Sequence, residues 1–156
     1  MRITLLFVGK TAKGWTSEGL SVYLDRLSHY VSLDVKEIPE LKNAASLSQE
    51  QVKRKEGEQI LQSLRSDDRV ILLDEKGKEY SSIQFAEQLN RYMNEGKNIV
   101  FVIGGPYGFS PEVYARAQGG LSLGRMTLSH QMVRIVFAEQ LYRAFTIIRG
   151  EPYHHE

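Results

Sequence analysis

Apolar residues gather in four short runs: RITLLFV at 2–8, VSLDVKEI at 31–38, RVILL at 69–73 and NIVFVI at 98–103. Each is rich in β-branched residues and of strand length. Between the runs the spacing changes to that of helices. Residues 15–30 place Leu20, Tyr23, Leu24 and Leu27 on one face. The charged stretch 48–65 keeps Val52, Ile60, Leu61 and Leu64 as its apolar positions. Residues 81–94 open with Ser81 and Gln84 in capping-box spacing, then present Phe85, Ala86, Leu89 and Met93. Strands alternating with helices predict a mostly parallel sheet covered on both faces. The segment 39–47 reads as a long loop.

The rhythm changes after residue 103. Ser110, Pro111 and Glu112 form a helix start, with a capping hydroxyl, a proline in the first turn and an acid beside the helix dipole. That helix must end before Gly119 and Gly120. A short strand at 121–123, a loop at 124–129 and a long helix over 130–148 complete the pattern. The last helix carries Glu139, Arg143 and Thr146 as a polar stripe and is apolar over more than half its circumference. A surface helix needs one apolar face, so this one calls for a second contact, of which a partner subunit is the natural candidate.

At 156 residues the chain has the size of one domain. No run is long enough to span a membrane, and MRITLLFVGK reads as a first strand rather than a signal peptide. The absence of cysteine excludes disulfides, thiolate catalysis and thiolate metal sites. These features point to a cytoplasmic protein without a metal. A net charge of +1 excludes diffuse attraction to polyanions as the main source of affinity, so contact with nucleic acid requires a shaped site.

The candidate chemistry lies late in the chain. The run FVIGGPYGFS ends a buried strand in bare backbone at Gly104 and Gly105. It matches neither the dinucleotide fingerprint nor the phosphate-binding loop. Taken alone it suits a tight turn. A second strand-end loop, LGRMTLSH, follows within about 20 residues, and loops at the carboxyl ends of neighbouring parallel strands frame one crevice.

The order of these motifs carries a resemblance. IGGPYG, then LSLGRMTLSHQMVR with EQLYRA in the same helix, then RGEPYH at the end, is similar to the RlmH family of SPOUT-class methyltransferases. The opening VGK, KEGE at 55–58 and LLDEKGK at 72–78 extend it along the whole chain, although the C-terminal block is the specific part. The family usually has proline where this chain has Ser129.

The resemblance implies a single SPOUT domain over 1–156, α/β with a C-terminal trefoil knot, which rules of chain connection would otherwise exclude. It implies a homodimer and S-adenosylmethionine held by Leu73, Gly104, Gly105, Leu123, Gly124, Arg125, Met126, Thr127 and Leu128. It also implies methylation at N3 of a pseudouridine in 23S ribosomal RNA, position 1915 in the family, on the assembled ribosome. The catalytic candidates are His130, Arg134, and Tyr153 and His154 of a short active-site tail at 150–156. His130 can act as a base or merely order its loop. Arg134 can meet the cofactor carboxylate, an RNA phosphate or solvent. Arg125 and Arg149 are further phosphate candidates, whereas Lys53, Arg54 and Lys55 read as a solvated face. A dimeric RNA-binding module without catalysis, or a small-molecule enzyme using the same crevice, would share these features.

Overall fold

The computed structural model describes residues 1–155. Its strands are β1 Arg2–Val8, β2 Ser32–Ile38, β3 Arg69–Glu79, β4 Ile99–Ile103 and β5 Gly119–Ser122. Its helices are α1 Trp15–Leu27, α2 Gln49–Gln62, α3 Ser82–Asn94, α4 Pro111–Arg116 and α5 Met132–Ile148. The strands form one parallel sheet in the order β2-β1-β4-β3-β5. The 39–47 segment is a loop with a single 3-10 turn at Ala44–Ser46.

Alternation along the strands divides the core. Ile3, Leu5, Phe7, Ile71, Ile99 and Phe101 bury against α1, α3 and α5, where the rings of Phe101 and Phe137 lie 4.9 Å apart. Leu6, Val8, Val70, Leu72, Val100 and Val102 point the other way, toward Ile60 of α2 and Val113 of α4. Burial on both faces is why these strands read as nearly continuous apolar runs. Ser48 and Ser81 begin α2 and α3 with complete capping boxes, closed by Gln51 and Gln84. Ser110 caps α4 through the amide of Val113.

One strand outruns its sequence signal. Apolar character stops at Leu73, yet β3 continues through the polar DEKGKE to Glu79. Its pairing with β5 skips, so that Leu121 faces Leu73 and then Lys78. Pairing of Lys78 and Glu79 with β5 anchors the far end of this extension without apolar side chains. At Gly77 the two chains come so close that a Cβ would lie 2.5 Å from the amide nitrogen of Leu121.

Candidate active site

The middle of β3, at Leu73 to Glu75, and the carboxyl ends of β4 and β5 open into a crevice of about 210 Å³. Leu73, Gly104, Gly105, Leu123, Gly124, Met126, Thr127, Leu128 and His130 all line it. The two glycine-containing loops therefore frame one site. Larger hollows lie elsewhere, one of about 340 Å³ between Tyr80, Phe85 and Leu123, and a polar one of about 500 Å³ at the opposite ends of the strands. The smaller crevice is the better candidate, because it joins the carboxyl end of β4 and its glycine loop to the loop after β5, and ligands of open parallel sheets bind where such loops meet.

Further residues complete the wall. Asp74 and Glu75 bring carboxylates to it, and Pro106, Gly108 and Phe109 continue the β4 loop. The motif LLDEKGK was the available signal for the two acids. The Tyr114 hydroxyl donates to Asp74. Burial, and next that hydrogen bond, push the Tyr114 phenol up to about 12, so it stays a donor and holds the Asp74 carboxylate in place. Met126 is 89% exposed at the rim, an apolar side chain open to whatever covers the crevice. Ser122 shapes the loop's entry, its hydroxyl donating to Gly124 O at 3.1 Å and accepting from Gly124 N at 3.2 Å. Gly124 takes a φ of 131°, a region that favours glycine.

The glycines of the β4 loop answer to the protein itself. Neither Gly104 nor Gly105 has a left-handed backbone. A Cβ on Gly104 would stand 2.8 Å from the Phe109 ring, and one on Gly105 would stand 2.8 Å from both carboxyl oxygens of Glu56. Close packing beneath the loop accounts for the bare backbone, and the crevice lies above it.

His130 lies just before α5, half-buried against the crevice. The Ser129 hydroxyl accepts from the Met132 amide at 3.0 Å, and Ser129 O accepts from Val133 at 3.0 Å. Serine thus orders this turn through a capping bond.

Arg134 is fully buried and does not line the crevice. Its Nε donates to His130 O at 3.0 Å, Nη1 to Gly9 O at 3.0 Å and Thr11 Oγ1 at 2.9 Å, and Nη2 to Val8 O at 3.0 Å. Glu37 stands 3.7 Å away. Desolvation pulls the guanidinium pKa down and the Glu37 charge partly offsets it. Gln131 adds a second tie, accepting from Ala12 N at 2.7 Å and donating to Lys10 O at 2.9 Å. Together they bind the turn after β1 to the base of the His130 loop.

Arg125 is exposed outside the crevice lining, and Arg149 lies over the Tyr30 ring. The tail folds back along α5. The Tyr153 hydroxyl donates to Glu139 Oε2 at 2.7 Å, and Arg143 Nη1 meets His154 Nδ1 at 3.0 Å. The Tyr153 ring packs edge-on against Tyr142 at 4.7 Å. Burial, then the Glu139 bond, raise the Tyr153 pKa. The polar stripe is thus a dock for the tail, with Thr146 itself buried and its carbonyl accepting from the Glu151 amide at 2.9 Å. Within one chain, Tyr153 and His154 do not line the crevice.

The lining combines apolar faces (Leu73, Ile103, Leu123, Leu128), backbone groups at glycines, and two carboxylates. That set fits a nucleoside carrying positive charge. The described residues contain no cluster of three or more metal-ligating side chains.

Comparison with known proteins agrees with this chemistry. The family described as "Predicted SPOUT methyltransferase" matches residues 1–154. Proteins named ribosomal RNA large subunit methyltransferase H from Phocaeicola vulgatus and Flavobacterium johnsoniae are 52% and 54% identical to this chain, and each comparison covers 100% of both proteins. A probable methylase family protein from Haemophilus influenzae Rd KW20 shares the fold, with a TM-score of 0.53 at 16% identity over 99% of this chain and 70% of that one. On the full-length identity and the family match together, the chain belongs to the RlmH family of SPOUT methyltransferases.

Proposed function

We propose that this methyltransferase uses S-adenosylmethionine to methylate N3 of a pseudouridine in 23S ribosomal RNA, acting as a cytoplasmic homodimer on the assembled ribosome. The observation that carries the reading is the convergence of Leu73, Gly104, Gly105, the 123–128 loop and His130 on one crevice.

S-adenosylmethionine supplies a methyl group on a sulfonium that needs no further activation. The protein's tasks are alignment of the acceptor and removal of its proton, and alignment alone can supply about 7–11 kcal/mol. Leu73, Leu123 and Leu128 would hold the adenine between apolar faces, with the glycine backbone at its edge. Asp74 and Glu75 complement the positive charge. The N3 of pseudouridine is imide-like and protonated at neutral pH, so methylation must release a proton. His130 is the one imidazole in the lining and is our candidate for receiving it. Arg134 serves by fixing the His130 carbonyl, and not as a ligand.

Several features support the finer parts of the reading. The near-contact of β3 and β5 backbones at Gly77 suits a chain threaded as a trefoil knot. Val133, Ile135, Val136, Ile147 and Ile148 of α5 are only partly buried, which suits a second subunit. In such a dimer Tyr153 and His154 would reach the partner's crevice and orient the pseudouridine. Among the described residues no helix is long and apolar enough to cross a membrane.

The test is labelled methyl transfer to 70S particles, 50S subunits and free RNA from a strain lacking the activity, with sedimentation of the enzyme at micromolar concentration. Transfer to assembled particles by a dimer is expected. No transfer to any substrate refutes the activity, comparable transfer to free RNA refutes the need for a particle, and a monomer refutes the shared site.

A further inference from the structure

Among the described residues, buried side-chain atoms without a hydrogen-bond partner are Glu56 Oε1, Gln59 Oε1 and Arg69 Nε. Arg69 has its charge met by Glu95. Glu56 is different, because it is a carboxyl group 9% exposed on α2, directly beneath the β4 loop.

Both ends of that loop rest on two adjacent residues of α2. The Glu56 carboxyl lies against Gly105, where a Cβ would come within 2.8 Å of either oxygen. The neighbouring Gly57 is pressed on Ser110, where a Cβ would come within 2.4 Å of the Ser110 hydroxyl oxygen. The helix therefore registers the whole span from Gly105 to Ser110. Within it, the turn is closed by a long bond from Gly108 N to Gly105 O at 3.4 Å. That bond engages the Gly108 amide and Pro106 has none, which leaves Gly105 and Tyr107 as the amide donors of the turn.

A carboxyl is a poor choice if only bulk is required. A methionine fills similar space without desolvating a polar group, whereas an unmade buried acceptor carries its full desolvation penalty. An acceptor kept without a donor in one state is explained by a donor arriving in another. We propose that Glu56 is a positioning residue for the crevice, whose carboxyl supports the Gly104–Gly108 loop from beneath and accepts a loop amide once the methyl donor is bound. This inference rests on the reading of the crevice as the methyl-donor site. Glu56 acts through Gly105 and touches neither cofactor nor RNA.

The test compares two variants of similar bulk in the full-length protein. Glu56→Gln keeps an acceptor oxygen and Glu56→Met removes it. Calorimetry with S-adenosylmethionine should show Glu56→Gln within about threefold of the parent, and Glu56→Met weakened about tenfold, the loss of one hydrogen bond. Thermal unfolding should leave Glu56→Met at or above the parental Tm, an outcome that separates positioning from a purely structural role. Parental affinity in Glu56→Met overturns the proposal, as does equal weakening in both variants. If Glu56→Met fails to fold, Glu56→Leu replaces it under the same criteria, and failure of both to fold shows a structural role and also overturns the proposal. If the parent itself binds no S-adenosylmethionine, the crevice reading fails and this inference fails with it.

Discussion

Arg134→Met separates a structural arginine from a ligand-binding one. The substitution removes four hydrogen bonds, at 3.0 Å to each of His130 O, Gly9 O and Val8 O, and at 2.9 Å to Thr11 Oγ1. Three carbonyls lose a charged donor in a place where Arg134 itself has no exposed surface. Removing one member of such a buried charged network costs about 3–5 kcal/mol. At about 3 °C per kcal/mol for a domain of this size, Tm should fall by roughly 9–15 °C. Arg134→Lys should recover only a minor part of that loss, since one ammonium cannot span acceptors on two separate segments. The assay is thermal unfolding followed by circular dichroism, with S-adenosylmethionine binding measured well below the variant's midpoint. A Tm within about 2 °C of the parent, combined with loss of binding, would show that the guanidinium serves the ligand. That result would refute the reasoning from its buried hydrogen bonds.

Deleting residues 152–156 removes the Tyr153 bond to Glu139 and the His154 contact with Arg143. Tm should fall by only about 3–6 °C, S-adenosylmethionine binding should persist, and methyl transfer to ribosomes should drop by orders of magnitude. Transfer near the parental rate would reduce the tail to a docked terminus. Glu56 makes stability depend on pH, because burial raises its pKa above the ordinary 4.5. Stability is therefore favoured below the unfolded value and is lost as pH rises through the folded value. The Tm of Glu56→Gln minus that of the parent should grow as pH is raised from below 4.5 toward neutrality. A difference that is flat with pH would mean the carboxyl is not desolvated.

Much of the frame is legible in the sequence, because periodicity reports burial directly. The apolar runs of β1 and β4, the Ser81–Gln84 box and the Ser110–Pro111 start all fall where their chemistry predicts, and β2 falls in place as an edge strand with only Ile38 buried. The polar half of β3 is not legible. Lys78 and Glu79 resume pairing with β5 after a register shift over 74–77, and backbone pairing of this kind leaves no mark on side-chain identity. The crevice residues could be proposed as a group from two small-residue loops, yet periodicity could not show that Glu56, on a charged helix, fits under Gly105. A glutamate among lysines and glutamates has the pattern of a solvated face.

Arg134 shows why a site can depend on the least distinctive part of its chain. The specific motifs lie after residue 100, whereas the turn after β1 offers only VGKTAKG. That turn nevertheless receives both Arg134 and Gln131, through Val8 O, Gly9 O, Lys10 O, Thr11 Oγ1 and Ala12 N. Four of these five partners are backbone atoms, which nearly any residue supplies, so the first turn can position the His130 loop without a signature of its own. What selection can see is the donor, a long planar guanidinium that meets acceptors in β1, the following turn and its own helix start at once. A motif arginine beside a candidate base therefore has two physical explanations, ligand and brace, and sequence spacing is the same for both. Burial decides between them here. A guanidinium with no exposed surface and four protein acceptors has one N–H of its five left for anything else.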